Sequence, residues 1–321
     1  MTDAITIKNI SKIYRVPSII PWRRPRVVEA LQDVSFSCPK NQISCLLGPN
    51  GAGKTTIIKI LAGLVLPDAG DAIILGIHFS KVTNRFRTKI GLATSNERSF
   101  YWRLTGYQNL DFYAALYGFS RREKRDRVFE LLSEVDLVEQ ADKPFRQYSA
   151  GMKQKLILAR ALLGNPEILL LDEPTVHLDP LAQRVIHKLI RERFVEKRKT
   201  TVLFCTHDLT EAQELADNLI FLNDGKIYAE GSLSSLRSDL HSRPRLILEF
   251  ARLPQTGWEK GLPVILRGQE KERLEVEVLE PSDIPSIIEA AVSANGRLIS
   301  CHSYKESLSE LFTRFTGKQT S

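Results

Sequence analysis

The sequence predicts an α/β protein built on a mainly parallel sheet, and three observations lead to this prediction. Strand-like apolar runs alternate with helical patterns along the first two thirds of the 321 residues. Two of these runs, 168–171 and 201–205, are apolar enough to be central strands covered on both faces. A glycine-rich segment, 48–56, lies between another such run and a helical pattern, which is the position of a phosphate-binding loop.

The first part of the chain is predicted to form short strands that lead into the glycine-rich segment and one helix. The strand-like runs are 5–10, 27–34 and 43–47, and the helical pattern covers 57–64. Pro67 and Gly70 end that helix. We expect an antiparallel β subdomain here, beside the parallel sheet.

From residue 105 to residue 164 the pattern becomes helical. Four apolar residues follow the i, i+3, i+4, i+7 spacing of one buried helix face: Val128, Leu131, Leu132 and Val135. We therefore predict a helical subdomain, about 105–164, inserted into the α/β unit.

The chain changes character after a turn at Asn223-Asp224-Gly225 and a last glycine at 231. We predict a first domain at 1–231 and a small C-terminal α+β domain at 232–321. The predicted strands of the second domain are 245–250, 264–267, 274–279 and 297–301, and its predicted helices are 282–293 and 305–315.

The composition is that of an ordinary globular protein, with 43% hydrophobic and 26% charged residues. No apolar stretch approaches the ~20 residues that span a bilayer, and the start MTDAITIKNI lacks the features of a secretion signal. We therefore expect the chain in the cytoplasm. The cysteines form no CxxC pair and are predicted to be reduced, buried thiols: Cys38, Cys45, Cys205 and Cys301.

The net charge of +7 allows a nucleic acid or an anionic membrane surface as a neighbour but identifies neither. The densest basic run, 184–199, is predicted to be a solvated helix face. Its apolar residues are expected to point inward: Val185, Ile186, Leu189, Ile190 and Phe194. A second basic cluster, 17–26, is predicted to be an extended hairpin loop, with contact to lipid headgroups as the alternative.

The loop GPNGAGKTT carries the residue types that hold a triphosphate. Glycines let the backbone curl until several N–H groups point at phosphate oxygens, and the following helix adds its positive end. Lys54 can then reach the β- and γ-phosphates, and the Thr55 hydroxyl can bind magnesium. The candidate nucleotide-binding residues of this loop are Gly48, Asn50, Gly51, Gly53, Lys54, Thr55 and Thr56.

Two adjacent carboxylates follow the apolar run 168–171, at the strand end where ligands of an open α/β sheet collect. Asp172 is predicted to hold magnesium through water. Glu173 is placed to orient or deprotonate an attacking water. The pair favours hydrolysis of the bound nucleoside triphosphate over binding alone.

With these motifs the chain resembles the ATP-binding subunits of ABC transporters over roughly residues 4–231. The run YSAGMKQKL, 148–156, is similar to that family's signature sequence. The resemblance implies that Ser149 and Gly151 contact the γ-phosphate held by a second subunit. It also implies a switch histidine at His207 and a dimer-spanning loop at Asp179, and it places Tyr14 on the adenine ring.

Two departures from the family pattern bear on these expectations. The signature has Ala150 and Met152 where the family commonly shows Gly and Gln. No glutamine stands in 89–105, where the family places one near magnesium. Ser95, Asn96 and Glu97 are the candidates to replace it.

The resemblance is strongest to exporter ATPases for drugs, antibiotics and surface polysaccharides, on the motif ERSFYWRLTG and the tail KESLSELFTRFTG. It implies a homodimer, or a heterodimer with a paralogue, that closes on ATP and Mg²⁺ and drives a separate transmembrane permease. The expected location is the cytoplasmic face of the cell membrane, with no nucleic acid partner. The alternative is a soluble ATPase of the same type that acts on nucleic acid or ribosomes.

Overall fold

The computed structural model describes residues 3–16, 26–81, 88–94, 99–239 and 245–304. The chain divides into two compact units, residues 1–233 and 234–321. The first unit contains the predicted phosphate loop, and the second contains a separate sheet.

The centre of the first unit is a six-stranded sheet of order β10-β9-β3-β8-β7-β6. All neighbouring strands are parallel except the β9-β10 hairpin. Two strands at its middle, β3 and β8, are completely buried, in keeping with their apolar sequences. The strands are β3 Ile43–Leu47, β6 Ile90–Thr94, β7 Ile168–Asp172, β8 Thr201–Thr206, β9 Asn218–Asn223 and β10 Lys226–Gly231.

A second, antiparallel sheet of order β2-β1-β4-β5 forms the predicted β subdomain. Its strands are β1 Asp3–Val16, β2 Arg26–Pro39, β4 Ala69–Ile74 and β5 Ile77–His78. Isoleucines of this sheet share one apolar core with residues of the helix that follows the phosphate loop. This packing holds the β1-β2 hairpin close to the loop.

The described residues of the first unit contain six α-helices. They are α1 Lys54–Leu61, α2 Gly106–Leu116, α3 Arg121–Glu134, α4 Ala150–Ala161, α5 Pro180–Lys188 and α6 Leu209–Leu215, and a π-helix, Leu189–Lys197, continues α5. Helices α2, α3 and α4 form the helical region, and the four apolar residues predicted for one buried face of α3 are fully buried there. No helix among the described residues is long and apolar enough to cross a bilayer.

Salt bridges join the helical region to the π-helix side of the sheet. The Arg198 guanidinium donates to the carboxylates of Glu130 and Glu134 on α3 and to the side-chain oxygen of Asn165. Arg193 lies 2.9 Å from the Asp136 carboxylate. These charge-assisted contacts fix the helical region at one end of the unit.

In residues 245–304 the second unit contains a four-stranded antiparallel sheet of order β12-β13-β11-β14 and an α-helix. Its core holds Phe250, Val276 and Ile287. The elements are β11 Arg245–Arg252, β12 Val264–Glu270, β13 Arg273–Val278, β14 Arg297–Tyr304 and α8 Ile284–Ser293, and the short helix α7, Leu233–Asp239, spans the division between the units.

Details differ from the sequence prediction at three places. Helix α1 begins at Lys54, three residues before the apolar pattern, because the glycine loop itself supplies its start. Val185 is 43% exposed, since it lies on the outer side of α5 while the other four apolar residues of that run are buried. Cys301 is half-buried, whereas the other three cysteines are buried.

Three predicted features lie outside the described residues. They are most of the hairpin loop 17–26, the glutamine replacements Ser95, Asn96 and Glu97, and the final helix 305–315.

We propose that the two units fold as separate domains, and a truncation tests this. A chain that ends at Leu233 keeps both sheets of the first unit, so we expect it to unfold cooperatively in urea, with an m-value lower by roughly a quarter. A control chain that ends at Asp217 loses β9 and β10, which removes a neighbour of β3. We expect that control to be unfolded. If the chain that ends at Leu233 shows no cooperative unfolding transition in urea, the proposed boundary is contradicted.

Candidate active site

A cleft of about 550 Å³ lies at the C-terminal ends of β3 and β7, beside the β1-β2 hairpin. It is lined by Tyr14, Val28, Glu29, Ala30, Asn50, Gly51, Gly53, Lys54, Thr55, Thr56, Asp172 and Glu173. Nine of these twelve residues are predicted site residues. The structure therefore brings one strand end, the glycine loop and the β hairpin to a single cavity.

The glycine loop fits against backbone atoms that leave no room for side chains. A Cβ at Gly48 would lie 2.0 Å from the Leu222 carbonyl oxygen, and one at Gly53 would lie 2.5 Å from the Ala30 carbonyl oxygen. Gly53 also has a φ of +108° at the N-cap of α1, a conformation that L side chains rarely adopt. The loop can therefore present its N–H groups and the helix start to an anion.

Lys54 is buried at the start of α1, with its ammonium turned back into the loop. Nζ donates to the carbonyl oxygens of Gly48 at 2.7 Å and Pro49 at 3.0 Å. Burial lowers the pKa of Lys54, although the nearby Glu173 and Asp172 carboxylates oppose this shift. An anionic phosphate beside Nζ would add a further countercharge to the buried ammonium.

Thr55 and Asp172 form a pair of oxygen ligands at the edge of the cleft. The Thr55 hydroxyl donates to Asp172 Oδ1 at 3.1 Å. Burial raises the pKa of Asp172, and the adjacent Glu173 carboxylate adds to the rise, while the Thr55 hydrogen bond opposes it. A hydroxyl and a carboxylate are hard oxygen donors, so the pair fits Mg²⁺ bound through one or two protein ligands, with water and phosphate as its other ligands.

Glu173 and His207 face each other across adjacent parallel strands. Glu173 Oε1 lies 3.0 Å from His207 Nδ1, although the two residues are 34 positions apart in the chain. Glu173 has a φ of +51°, and its N–H donates to the Cys205 carbonyl oxygen at 3.1 Å. This left-handed residue turns the chain away from β7 directly after Asp172. It thereby directs the Glu173 carboxylate toward the end of β8.

The β hairpin contributes three cleft residues that the sequence prediction did not include: Val28, Glu29 and Ala30. Tyr14 pairs with Val28 in the antiparallel register of β1 and β2. Because Tyr14 lines the cleft, the neighbouring residues of β2 line it as well. A prediction of the strand register would have found them. The ring of Tyr14 is half-buried, with Lys12 Nζ 5.6 Å from its centroid.

Ser149, Gly151 and Asp179 lie at helix starts outside this cleft. Ser149 is the N-cap of α4, and its exposed hydroxyl oxygen accepts from the Met152 N–H at 3.2 Å. Gly151 lies in the first turn of α4, and a Cβ there would lie 3.5 Å from the Ala182 Cβ, an ordinary contact. Asp179 caps α5 through its side chain, which accepts from the Ala182 N–H.

The aromatic residues before the helical region divide between core and surface. Phe100 is 3% exposed and stacks on Phe145 with ring centroids 4.8 Å apart, so it belongs to the core. Tyr101 is 50% exposed and Trp102 is 52% exposed. The Tyr101 ring contacts Phe112, which is also exposed, and the two residues extend an apolar surface.

Comparison with known proteins identifies relatives for both the sequence and the fold. The family model described as "ABC transporter" matches residues 31–176. The ABC transporter ATP-binding protein NatA of Bacillus subtilis is 33% identical over 66% of this chain and 86% of its own length. The daunorubicin resistance ATP-binding protein DrrA3 of Streptomyces coeruleorubidus is 35% identical over 71% of this chain and 74% of its own length.

One relative extends across both units, and one solved structure shows the shared fold. An uncharacterized ABC transporter ATP-binding protein of Synechocystis sp. is 30% identical over 95% of this chain and 82% of its own length. The dimeric, post-hydrolysis structure of the ATP-binding cassette MJ0796 bound to ADP and Pi is 28% identical. It superposes with a TM-score of 0.62 and covers 71% of this chain and 98% of that one.

The raised pKa of Asp172 predicts that its charge destabilises the fold in the absence of ligand. At a pH between the pKa of Asp172 in the unfolded chain and its higher pKa in the folded protein, the native state binds more protons than the unfolded state. The free energy of unfolding therefore falls as the pH rises through this range, and above it the ionised Asp172 destabilises the native state. We expect Asp172→Asn to raise the melting temperature of the nucleotide-free protein at pH 7.

Asp68 serves as a control, because its pKa is shifted in the opposite direction. The Ile13 N–H and the Lys12 ammonium hold the pKa of Asp68 below its usual value, so its charge is favourable in the native state. We expect Asp68→Asn to lower the melting temperature or leave it unchanged. A lower melting temperature for Asp172→Asn would contradict the assigned electrostatics.

Proposed function

The chain belongs to the family of ABC transporter ATP-binding proteins and is an ATPase, and from this premise we propose that it powers an exporter as a nucleotide-dependent dimer. Four side chains that line one cleft carry the proposal, together with His207, which lies 3.0 Å from the Glu173 carboxylate: Lys54, Thr55, Asp172 and Glu173. Each has a separate chemical task in phosphoryl transfer to water.

Binding of the triphosphate is the task of the glycine loop and Lys54. The buried ammonium and the start of α1 attract the phosphate oxygens, and the glycines at 48 and 53 let the loop pack closely against the carbonyl oxygens of Leu222 and Ala30. Tyr14, at the hairpin side of the same cleft, is placed to stack on the adenine. When bound to Thr55 and Asp172, Mg²⁺ would neutralise developing phosphate charge.

Hydrolysis is the task of the Glu173 carboxylate and the His207 imidazole. Glu173 accepts the proton of the attacking water or orients that water toward the γ-phosphate. His207, 3.0 Å away, keeps the Glu173 side chain directed into the cleft and reaches the γ-phosphate itself. The distance between Glu173 Oε1 and His207 Nδ1 is short enough for a hydrogen bond, which the proposed roles of the two residues require.

Closure into a dimer would complete the phosphate site. The α4 start with Ser149 and Gly151 does not belong to the residues that line the described cleft, and its hydroxyl is exposed. A second protomer can therefore place this helix start against the γ-phosphate of the first. Asp179, at the start of α5, would form part of the same contact. The partner protomer is a second copy of this chain or a paralogue, and loss of phosphate would open the dimer.

The partner in the membrane is proposed to be a separate permease, which would hold the chain at the cytoplasmic face. Exposed Tyr101, Trp102 and Phe112 at the edge of the helical region form an apolar surface suited to an amphipathic segment of such a partner. The proposed cargo is a drug, antibiotic, lipid or polysaccharide, and relatives named for resistance to daunorubicin, doxorubicin and linearmycin favour a drug or antibiotic. The C-terminal unit is proposed to be an accessory or regulatory domain.

Lys54→Ala tests the nucleotide site. Because a hydrogen bond to a charged group contributes about 1.5–3 kcal/mol, we expect a roughly 10- to 150-fold loss of ATP affinity, measured by calorimetric titration. Lys59→Ala is the matched control, since Lys59 is exposed on the same helix, and we expect it to bind ATP normally. Unchanged affinity in Lys54→Ala would reject the site.

Glu173→Gln tests hydrolysis and dimerisation together. We expect ATP to bind while turnover falls by at least about 100-fold, because the amide cannot accept the proton of water. Because the bound ATP is not hydrolysed, a dimer of the protein should accumulate, and size-exclusion chromatography should detect it. Glu167→Gln, at the opposite end of β7 and exposed, should behave as the unmodified protein. A strictly monomeric Glu173→Gln protein with ATP bound would overturn the dimer mechanism.

A further inference from the structure

Glu211 is a buried carboxylate close to the catalytic pair. Its residue surface is only 6% exposed, and it lies in the first turn of α6. A charge in such a place requires hydrogen bonds, because burial removes its contact with water. Its nearest donor is the Thr175 hydroxyl, which gives a hydrogen bond of 2.5 Å to Glu211 Oε1. His187 Nε2, from α5, lies 3.4 Å from the same oxygen.

Thr175 lies in the turn that carries Glu173. The hydroxyl is two residues past Glu173, and the Thr175 residue is buried. This turn contains two left-handed non-glycine residues, Glu173 and His177, a conformation that persists only where surrounding contacts hold it. The Thr175–Glu211 hydrogen bond is such a contact, since it ties the middle of the turn to a different element.

Glu211, the acceptor of this hydrogen bond, is connected to the segment that carries His207. The residue after His207 is Asp208, whose side chain caps α6 by accepting from the N–H groups of Thr210 and Glu211. The position of His207 at the end of β8 is therefore set together with the first turn of α6. Glu211 belongs to that turn and thereby links the Glu173 turn with the His207 segment.

A cavity of about 190 Å³ lies between these groups. Glu173 and His207 line it together with Thr175 and Glu211. The hydrogen bond between Thr175 and Glu211 thus borders the same space as the catalytic pair.

We propose that Glu211 and Thr175 are positioning residues for ATP hydrolysis: their hydrogen bond holds the turn after β7 against α6 and thereby sets the distance between Glu173 and His207. The inference rests on the proposed roles of Glu173 and His207. Neither Thr175 nor Glu211 lines the nucleotide cleft, so their contribution is to turnover and leaves ground-state binding of ATP unaffected.

Thr175→Val removes the donor at nearly constant shape. We expect kcat for ATP hydrolysis to fall at least about 10-fold while the KM for ATP changes less than about 2-fold, because the phosphate loop is untouched. Thr175→Ser restores the hydroxyl and should recover most of kcat. The matched control is Thr200→Val, an equally buried threonine at the opposite end of the sheet, which should keep normal kcat.

Two further measurements separate this inference from the proposed function. In a Glu173→Gln background, Thr175→Val should cause little additional loss, because its effect acts through Glu173. If Glu173→Gln alone leaves turnover normal, the proposed function fails. If it abolishes turnover while folded Thr175→Val has normal kcat, or loses ATP affinity in parallel, the positioning role fails.

A second variant guards against a Thr175→Val protein that does not fold. Glu211→Met removes the accepting oxygen at similar length and should produce the same selective loss of kcat. A folded Glu211→Met protein with normal kcat would overturn the proposal.

Discussion

The parallel register of β3, β8 and β7 is the constraint on which the site depends. Leu47 lies beside Thr206 and Asp172 lies beside Cys205, so all three strands end at the same edge of the sheet. The residues that follow these ends are the glycine loop, Glu173 and His207. Thr55, in the helix after the glycine loop, and Asp172 are more than a hundred positions apart in sequence, and this alignment of strand ends brings them to hydrogen-bond distance. A slip of one residue in either pair would turn the catalytic side chains to the wrong face.

The cleft combines charges that the fold does not favour in the absence of ligand. Burial lowers the pKa of Lys54 and raises that of Asp172, so each charged form is disfavoured by its own surroundings. Glu173 adds a left-handed backbone conformation at the same place. Bound nucleotide and metal would relieve the electrostatic part of this cost. Stability and ligand binding are therefore coupled at this edge of the sheet.

The sequence was sufficient to predict the features that depend on local pattern. Periodicity located the buried face of α3, and the glycine loop located the start of the nucleotide cleft. Local pattern could not separate Phe100 from its exposed neighbours, because its burial arises from stacking on Phe145, 45 positions away. Val185 was misassigned because it lies on the outer side of α5, directly beside the buried Ile186, and an apolar residue type alone does not show which side it takes. Glu211 carries no motif of its own, and only the fold brings it to Thr175.

Gly151 shows how a single chain can retain a residue that its own fold does not need. Its backbone has an ordinary helical conformation, and an added methyl group would be in van der Waals contact with the Ala182 Cβ at 3.5 Å. An alanine there would even favour the helix, by about 0.5–1 kcal/mol. In the proposed dimer, the missing side chain would leave room at the helix start for a phosphate that approaches from the opposite protomer.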